Sequence, residues 1–214
     1  MVKQDFICRL CGFTGCGIAD IKHWREYVFC PSCNLLFVSN KCLVSVEEEI
    51  LRYNQHNNNL SNTGYVAFLS KLKNVINEIT PKYTDVLDFG CGKNAVLSEL
   101  LRNDGYNVHS YDPLFDMPLE DEDRKYNVIV LCEVIEHIRD LQNDIALIKR
   151  LLKSGGKVLI RTRLMPSVTE VPRWWYAQDK THINFFSEQS IAVLAGYLNL
   201  QVCKTIEDDI FVLA

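Results

Sequence analysis

The sequence predicts an α/β protein, a doubly wound and mostly parallel sheet behind a small cysteine-rich module. Two observations predict it. From residue 84 onward, short apolar runs of strand length alternate with helical apolar stripes, which is the pattern of strands joined by crossover helices and covered on both faces. Before residue 43, four cysteines stand as two Cys-x-x-Cys pairs, a spacing that belongs to metal sites. A chain of 214 residues, 48% hydrophobic and 23% charged, is long enough for one ordinary domain and a small extra module.

Residues 1–42 form the first region. The chain holds nine cysteines, an odd number, and its start, Met1-Val2-Lys3-Gln4-Asp5, leads into no apolar signal core, so a disulfide framework is not expected and a cytoplasmic location is. Cys8 and Cys11, then eighteen intervening residues, then Cys30 and Cys33 make two chelating knuckles, with Gly12 and Pro31 fitting their turns. Four thiolates suit tetrahedral Zn2+, and a site closed by four protein ligands is structural. Cys16 and Cys42 are read as bystanders. Tyr27-Val28-Phe29 and Leu35 to Val38 read as short strands.

Residues 43–82 read as a helical lid or linker. Ser45 and Glu48 form a capping box ahead of Ile50 and Leu51. An asparagine-rich loop follows, and Val66, Leu69, Leu72, Val75, Ile76 and Ile79 recur at helical spacing until Pro81. In residues 83–214, Val86-Leu87 is a buried strand, Ala95 to Arg102 a helix, and Val108 to Tyr111 and Tyr126 to Leu131 are strands. Leu141, Ile145, Ile148, Leu151 and Leu152 stripe a helix that Gly155-Gly156 stops. Val158 to Ile160 is a further strand, Ser187 caps a helix, and strands at Leu200 to Val202 and Ile210 to Leu213 close the chain. The acidic run Glu120-Asp121-Glu122-Asp123 reads as a solvated loop.

Asp88-Phe89-Gly90-Cys91-Gly92-Lys93-Asn94-Ala95 joins a buried strand to a helix, and its glycines allow a ligand close to the backbone. Gly90-x-Gly92-x-x-Ala95 with Asp112 downstream satisfies the dinucleotide fingerprint literally. Asp88, two residues before the first glycine, argues instead for a ligand carrying an ammonium and a sulfonium. So does the missing third glycine, and the roughly 130 residues after position 84 are few for a nucleotide half plus a substrate domain.

At this point the sequence resembles class I S-adenosylmethionine-dependent methyltransferases. Val86 to Gly92 is similar to their first motif, Tyr111-Asp112-Pro113 to the acid of their second strand, Tyr126 to His137 to their fourth strand and its exit, and Leu151 to Ile160 to the entry of their fifth. The resemblance implies a seven-stranded-type sheet and S-adenosylmethionine as cofactor. It places Gly90, Cys91 and Gly92 along the cofactor, Asp88 near its ammonium, Asp112 with Pro113 at the ribose, and Cys132 and Glu133 at the methyl-bearing end. Only about 13 residues separate Asp112 from Tyr126, so the third strand is expected to be shortened or absent, and no adenine-contacting carboxylate is assigned. The amino-terminal region is similar to a zinc ribbon.

Methyl transfer to oxygen or nitrogen needs a group that removes a proton. His137, at the end of Glu133-Val134-Ile135-Glu136-His137, and His182, in a segment similar to the Asp-x-Thr-His stretch of some small-molecule methyltransferases, are the candidate catalytic residues. Tyr53 and His56 are candidate lid residues; His23 and His109 read as structural or exposed. A small-molecule methyl acceptor is the expected partner. An RNA methyltransferase docking through the ribbon, a protein methyltransferase and a non-catalytic zinc-ribbon interaction protein are the competing functions. Nucleic acid is not favoured, because 23 basic against 27 acidic residues give a formal charge of −4 and no basic stripe stands out. No apolar run is long enough to span a membrane. Oligomeric state is left open.

Overall fold

In the computed structural model, the described residues are 6–22, 25–119, 121 and 123–214. The expectations for His23, for the first five residues, and for Glu120 and Glu122 of the acidic run lie outside them. Three strands open the fold, β1 (Gly17–Lys22), β2 (Arg25–Phe29) and β3 (Leu36–Val38), followed by α1 (Val46–Asn54) and α2 (Thr63–Ile79). Then come β4 (Asp85–Phe89), α3 (Val96–Asn103), β5 (Asn107–Tyr111), β6 (Tyr126–Cys132), α4 (Leu141–Leu151) and β7 (Leu152–Arg161). The last elements are β8 (Asn184–Phe185), α5 (Glu188–Tyr197), β9 (Val202–Ile206) and β10 (Ile210–Leu213).

The main sheet runs β5-β4-β6-β7-β10-β9. Its first four strands pair parallel, while β10 pairs antiparallel with both β7 and β9. Side-chain alternation splits each central strand between two cores. Val86, Val128, Val130 and Leu159 face α2 and α3; Leu87, Phe89, Ile129, Leu131, Val158 and Ile160 face α4, α5 and the cysteine-rich module. Among the described residues no strand lies between β5 and β6, so the third strand of the expected seven is absent. The chain instead turns back on itself through a single Asp112↔Met117 bridge.

Ser45 and Glu48 close their capping box on α1, and Asn62 and Asp140 cap α2 and α4. Two local readings need correction. Gly155-Gly156 do not stop a helix: α4 ends at Leu151 and β7 runs through both glycines, Gly155 taking φ +70° at an irregularity in the pairing with β6. The first of the closing strands begins at Val202, because Asn199 at φ +59° turns the chain after α5. Two strands, β1 and β8, were not expected. β8 matters most, since it pairs with β3 through Leu36↔Phe185 and Phe37↔Asn184. The sheet β1-β2-β3-β8 therefore draws its fourth strand from the carboxyl-terminal half.

Candidate functional site

The sheet order reverses direction between β4, which leads to β5 on one side, and β6 on the other. Ligands of open α/β sheets lie beyond the carboxyl ends of the strands at such a switch point. Here a cleft of about 1290 Å³ opens there, larger than a site for one small ligand needs. Gly90, Cys91, Gly92, Asp112, Pro113, Cys132, Glu133, His137 and His182 all line it, as do Tyr53 and His56.

The glycine turn has a physical reason at each end. Gly90 takes φ +76°, and a Cβ there would sit 2.6 Å from a methyl of Val134. Gly92 takes φ +68° with nothing within 4 Å of its missing Cβ, which leaves open space above the backbone. Its N–H donates to Asp112 Oδ2 at 2.9 Å, while Leu114 N–H donates to Oδ1 at 3.0 Å. Two backbone donors thus fix the Asp112 carboxylate at the cleft wall, each oxygen keeping a lone pair for a hydroxyl. Burial nevertheless raises the Asp112 carboxyl above its ordinary range.

Asp88 stands apart. Its carboxylate is buried and accepts from Ser98 Oγ at 2.7 Å, Ser98 in turn accepting from Ser110, and it does not line the cleft. Direct contact with a cofactor ammonium is not part of this geometry. Desolvation pushes its carboxyl up to about 6.

At the other end of the cleft, the segment after β7 folds over the exit of β6. His137 Nδ1 lies 3.0 Å from the Thr181 carbonyl, an acceptor, so Nδ1 carries the proton and Nε2 the lone pair. The His137 and His182 rings meet at 4.6 Å and 71°, and Tyr176 packs on His182 at 4.0 Å. Burial lowers both imidazoles, His182 to about 3. His182 Nδ1 is buried without a partner. Asp179 holds the turn, accepting from Thr181 N–H and Oγ1 at 3.0 and 2.7 Å.

Beneath the histidines lies Glu136, for which the sequence reading has no role, beside Glu133, expected at the methyl-bearing end. Glu136 is fully buried; Tyr176 Oη donates to its Oε1 at 2.7 Å and Thr162 Oγ1 to its Oε2 at 2.9 Å. Glu133, held at φ +54°, has its Oε2 3.2 Å from the same Tyr176 hydroxyl. Desolvation raises Glu133 to about 7 and Glu136 to about 8. Both carboxylates were visible in the Glu133-to-His137 run, but the hydroxyls that hold them, of Thr162 and Tyr176, come from the segment after β7.

α1 roofs the cleft. Arg52 pairs with Asp179 at 2.8 Å, Arg139 with the buried Glu49 at 2.8 Å, and Tyr53 Oη donates to Glu49 at 2.8 Å. The Tyr53 ring meets His137 edge-on at 5.3 Å. Arg25 of β2 supports the histidine end of the cleft, donating to the carbonyls of Ala177, Asp179 and His182.

At the amino-terminal end, Cys8, Cys11, Cys30 and Cys33 come together with all four sulfurs within 4.8 Å of one another. Cys8 and Cys33 approach to 3.5 Å and Cys11 and Cys30 to 3.6 Å, and none forms a disulfide. Four thiols converging in this way fit a tetrahedral metal ion. Cys16 is buried beside them but outside the quartet. No described helix is long and apolar enough to cross a membrane.

The sequence profile of the methyltransferase domain family matches residues 54–205, well over half of the chain. No curated protein sequence is significantly similar. Among solved structures, the PH0226 protein from Pyrococcus horikoshii OT3 is 16% identical with a TM-score of 0.53, the match covering 70% of this chain and 89% of that one. An O-methyltransferase family protein from Burkholderia thailandensis is 16% identical with a TM-score of 0.54, covering 78% and 65%. CalO1, a methyltransferase of calicheamicin biosynthesis solved with SAH, is 13% identical with a TM-score of 0.42, covering 71% and 57%. This chain thus spans less than two thirds of the length of the last two. A family match from residue 54 to residue 205, on a cleft at the switch point of a sheet of this order, means that the chain belongs to the methyltransferase domain family and has the class I methyltransferase fold.

Proposed function

We propose that the protein transfers the methyl group of S-adenosylmethionine to an oxygen or nitrogen of a small-molecule acceptor. The observation that carries this reading is one cleft with two dissimilar ends, an open glycine turn beside a fixed carboxylate at one and a walled histidine pair at the other. The cofactor supplies an electrophilic methyl on a cationic sulfur. Gly90, Cys91 and Gly92 bind along it, Asp112 and Pro113 hold its ribose, and Cys132 and Glu133 border its methyl. A cationic ligand is favoured where the Asp112 carboxylate stands in a partly desolvated wall.

His137 is the catalytic residue on the acceptor side, because its Nε2 lone pair is free to take the acceptor's proton. His182, neutral at every ordinary pH, serves to hold the His137 ring. Trp175 and Tyr176 wall the acceptor, and the lid over residues 43–82 excludes water from the reacting atoms. Residues 1–42 hold a structural Zn2+ through Cys8, Cys11, Cys30 and Cys33, and residues 83–214 carry the chemistry. A lidded cleft on an acidic chain supports a small acceptor over RNA.

Labelled S-adenosylmethionine incubated with a metabolite pool tests the reading. Wild type is expected to pass label to a small molecule, and Asp112→Ala to bind the cofactor at least tenfold more weakly in calorimetry. Transfer and affinity that are unchanged in the variant refute the cofactor assignment; label passing only to RNA refutes the acceptor class.

A further inference from the structure

The cluster below the cleft has a composition that proton transfer alone does not use. Glu136, His137 and His182 each offer a ligand atom, and the three atoms lie within 4.8 Å of one another. His137 Nε2 and Glu136 Oε1 are 3.9 Å apart, inside the roughly 4.2 Å that two donors each about 2.1 Å from one ion can span. His137 Nδ1 is already committed to Thr181, the arrangement that orients a metal-ligating imidazole and leaves its other nitrogen as donor. His182 carries a buried nitrogen with no partner, which costs free energy unless something fills it.

Charge points the same way. Glu136 has no solvent contact, both its oxygens accept from neutral hydroxyls, and Glu133 shares the Tyr176 hydroxyl. Among the described residues, the basic group within ion-pair range of Glu136 is His137. One buried carboxylate and two imidazoles converge on a single point, with Glu133 tied to Glu136 through the Tyr176 hydroxyl, so donors suited to a cation are already in place.

We propose that Glu136, His137 and His182 bind one divalent first-row metal ion, with open positions facing the cleft. Two imidazoles and a carboxylate suit this class of ion and leave positions open, unlike the closed four-thiolate set of the quartet. The inference rests on the methyl-transfer reading and deepens it, because the acceptor then presents a hydroxyl to the ion. Bound there, the hydroxyl is acidified and passes its proton to the Glu133 carboxylate at the cleft wall. The resulting oxygen anion forms the new O–CH3 bond as the S–CH3 bond breaks and its electron pair returns to sulfur. Without the ion, His137 Nε2 takes that proton; with it, the same nitrogen is a ligand.

The test uses the full, zinc-replete chain, cleared of loosely held metal by a mild chelator and titrated with Mn2+ while the free-ion electron paramagnetic resonance signal is followed. The expected result is one Mn2+ taken up per chain with the quartet's zinc retained. His137→Gln, Glu136→Gln and His182→Gln should each weaken Mn2+ uptake at least tenfold, while calorimetric affinity for S-adenosylmethionine stays within about twofold. Normal cofactor binding with no Mn2+ uptake overturns the metal site and leaves methyl transfer standing. So does full Mn2+ affinity in any two of the three variants. Absent cofactor binding in the wild-type chain instead removes the reading beneath both.

Discussion

Asp88 illustrates how a residue conspicuous in sequence can have its role moved by packing. The carboxylate before the glycine turn reads as a cofactor contact, yet it lies under α3 at the end of a hydroxyl relay from Ser98 to Ser110. Its carboxyl titrates near 6 in the folded chain against an ordinary 3.8. The native state therefore holds a proton that the unfolded chain has already released, and stability falls as pH rises from about 4 to about 6. Asp88→Asn keeps an oxygen for Ser98 and removes the buried charge. It is expected to melt higher than wild type above pH 6, by a few degrees, with the difference closing below about pH 4; thermal melts across that range check it. The glycine turn itself was legible, because φ +76° at Gly90 and the Val134 contact are local demands. The environment of Glu136 was not, since Thr162 and Tyr176 reach it from 26 and 40 residues away.

Among elements, α1 is joined to the loop after β7 by the Arg52–Asp179 pair. Asp179 already accepts from Thr181, so Arg52 is a removable strut rather than the turn's foundation. Half-exposed ion pairs are worth on the order of 0–1 kcal/mol. Arg52→Ala should leave the melting temperature within about 2 °C while raising KM for the acceptor several-fold, because the lid spends less time closed. Steady-state kinetics alongside a melt separate the two; an unchanged KM refutes the lid role. Helices with caps and apolar stripes were readable here, as Ser45 and Glu48 show. β8 was not, because two residues, Asn184 and Phe185, carry no periodicity and become a strand only through β3. Gly155-Gly156 misled for the converse reason: a helix-stop signal also marks a bulge, and pairing with β6 decided between them.

For the whole molecule, the cysteine-rich module and the sheet share one core, from Cys30 and Phe37 through Ile138 and Phe186 to Ile160. Sequence spacing shows where the quartet lies but not that β2 delivers Arg25 to the carbonyls beside His182. Cys33→Ser, which leaves three thiolates, is expected to lower zinc content and to melt in one transition several degrees below wild type rather than in two. Acceptor turnover should fall more than cofactor affinity, since Asp112 lies on the far side of the cleft from Arg25. Calorimetric scans with elemental analysis check this; a separate low-temperature transition that leaves turnover intact contradicts it. The borrowed fourth strand also bears on anyone seeking a minimal enzyme. A version trimmed to start at residue 43 would bare the underside of α4 and α5 and strand the backbone of Asn184 and Phe185 without neighbours, so it should precipitate instead of yielding a smaller working catalyst.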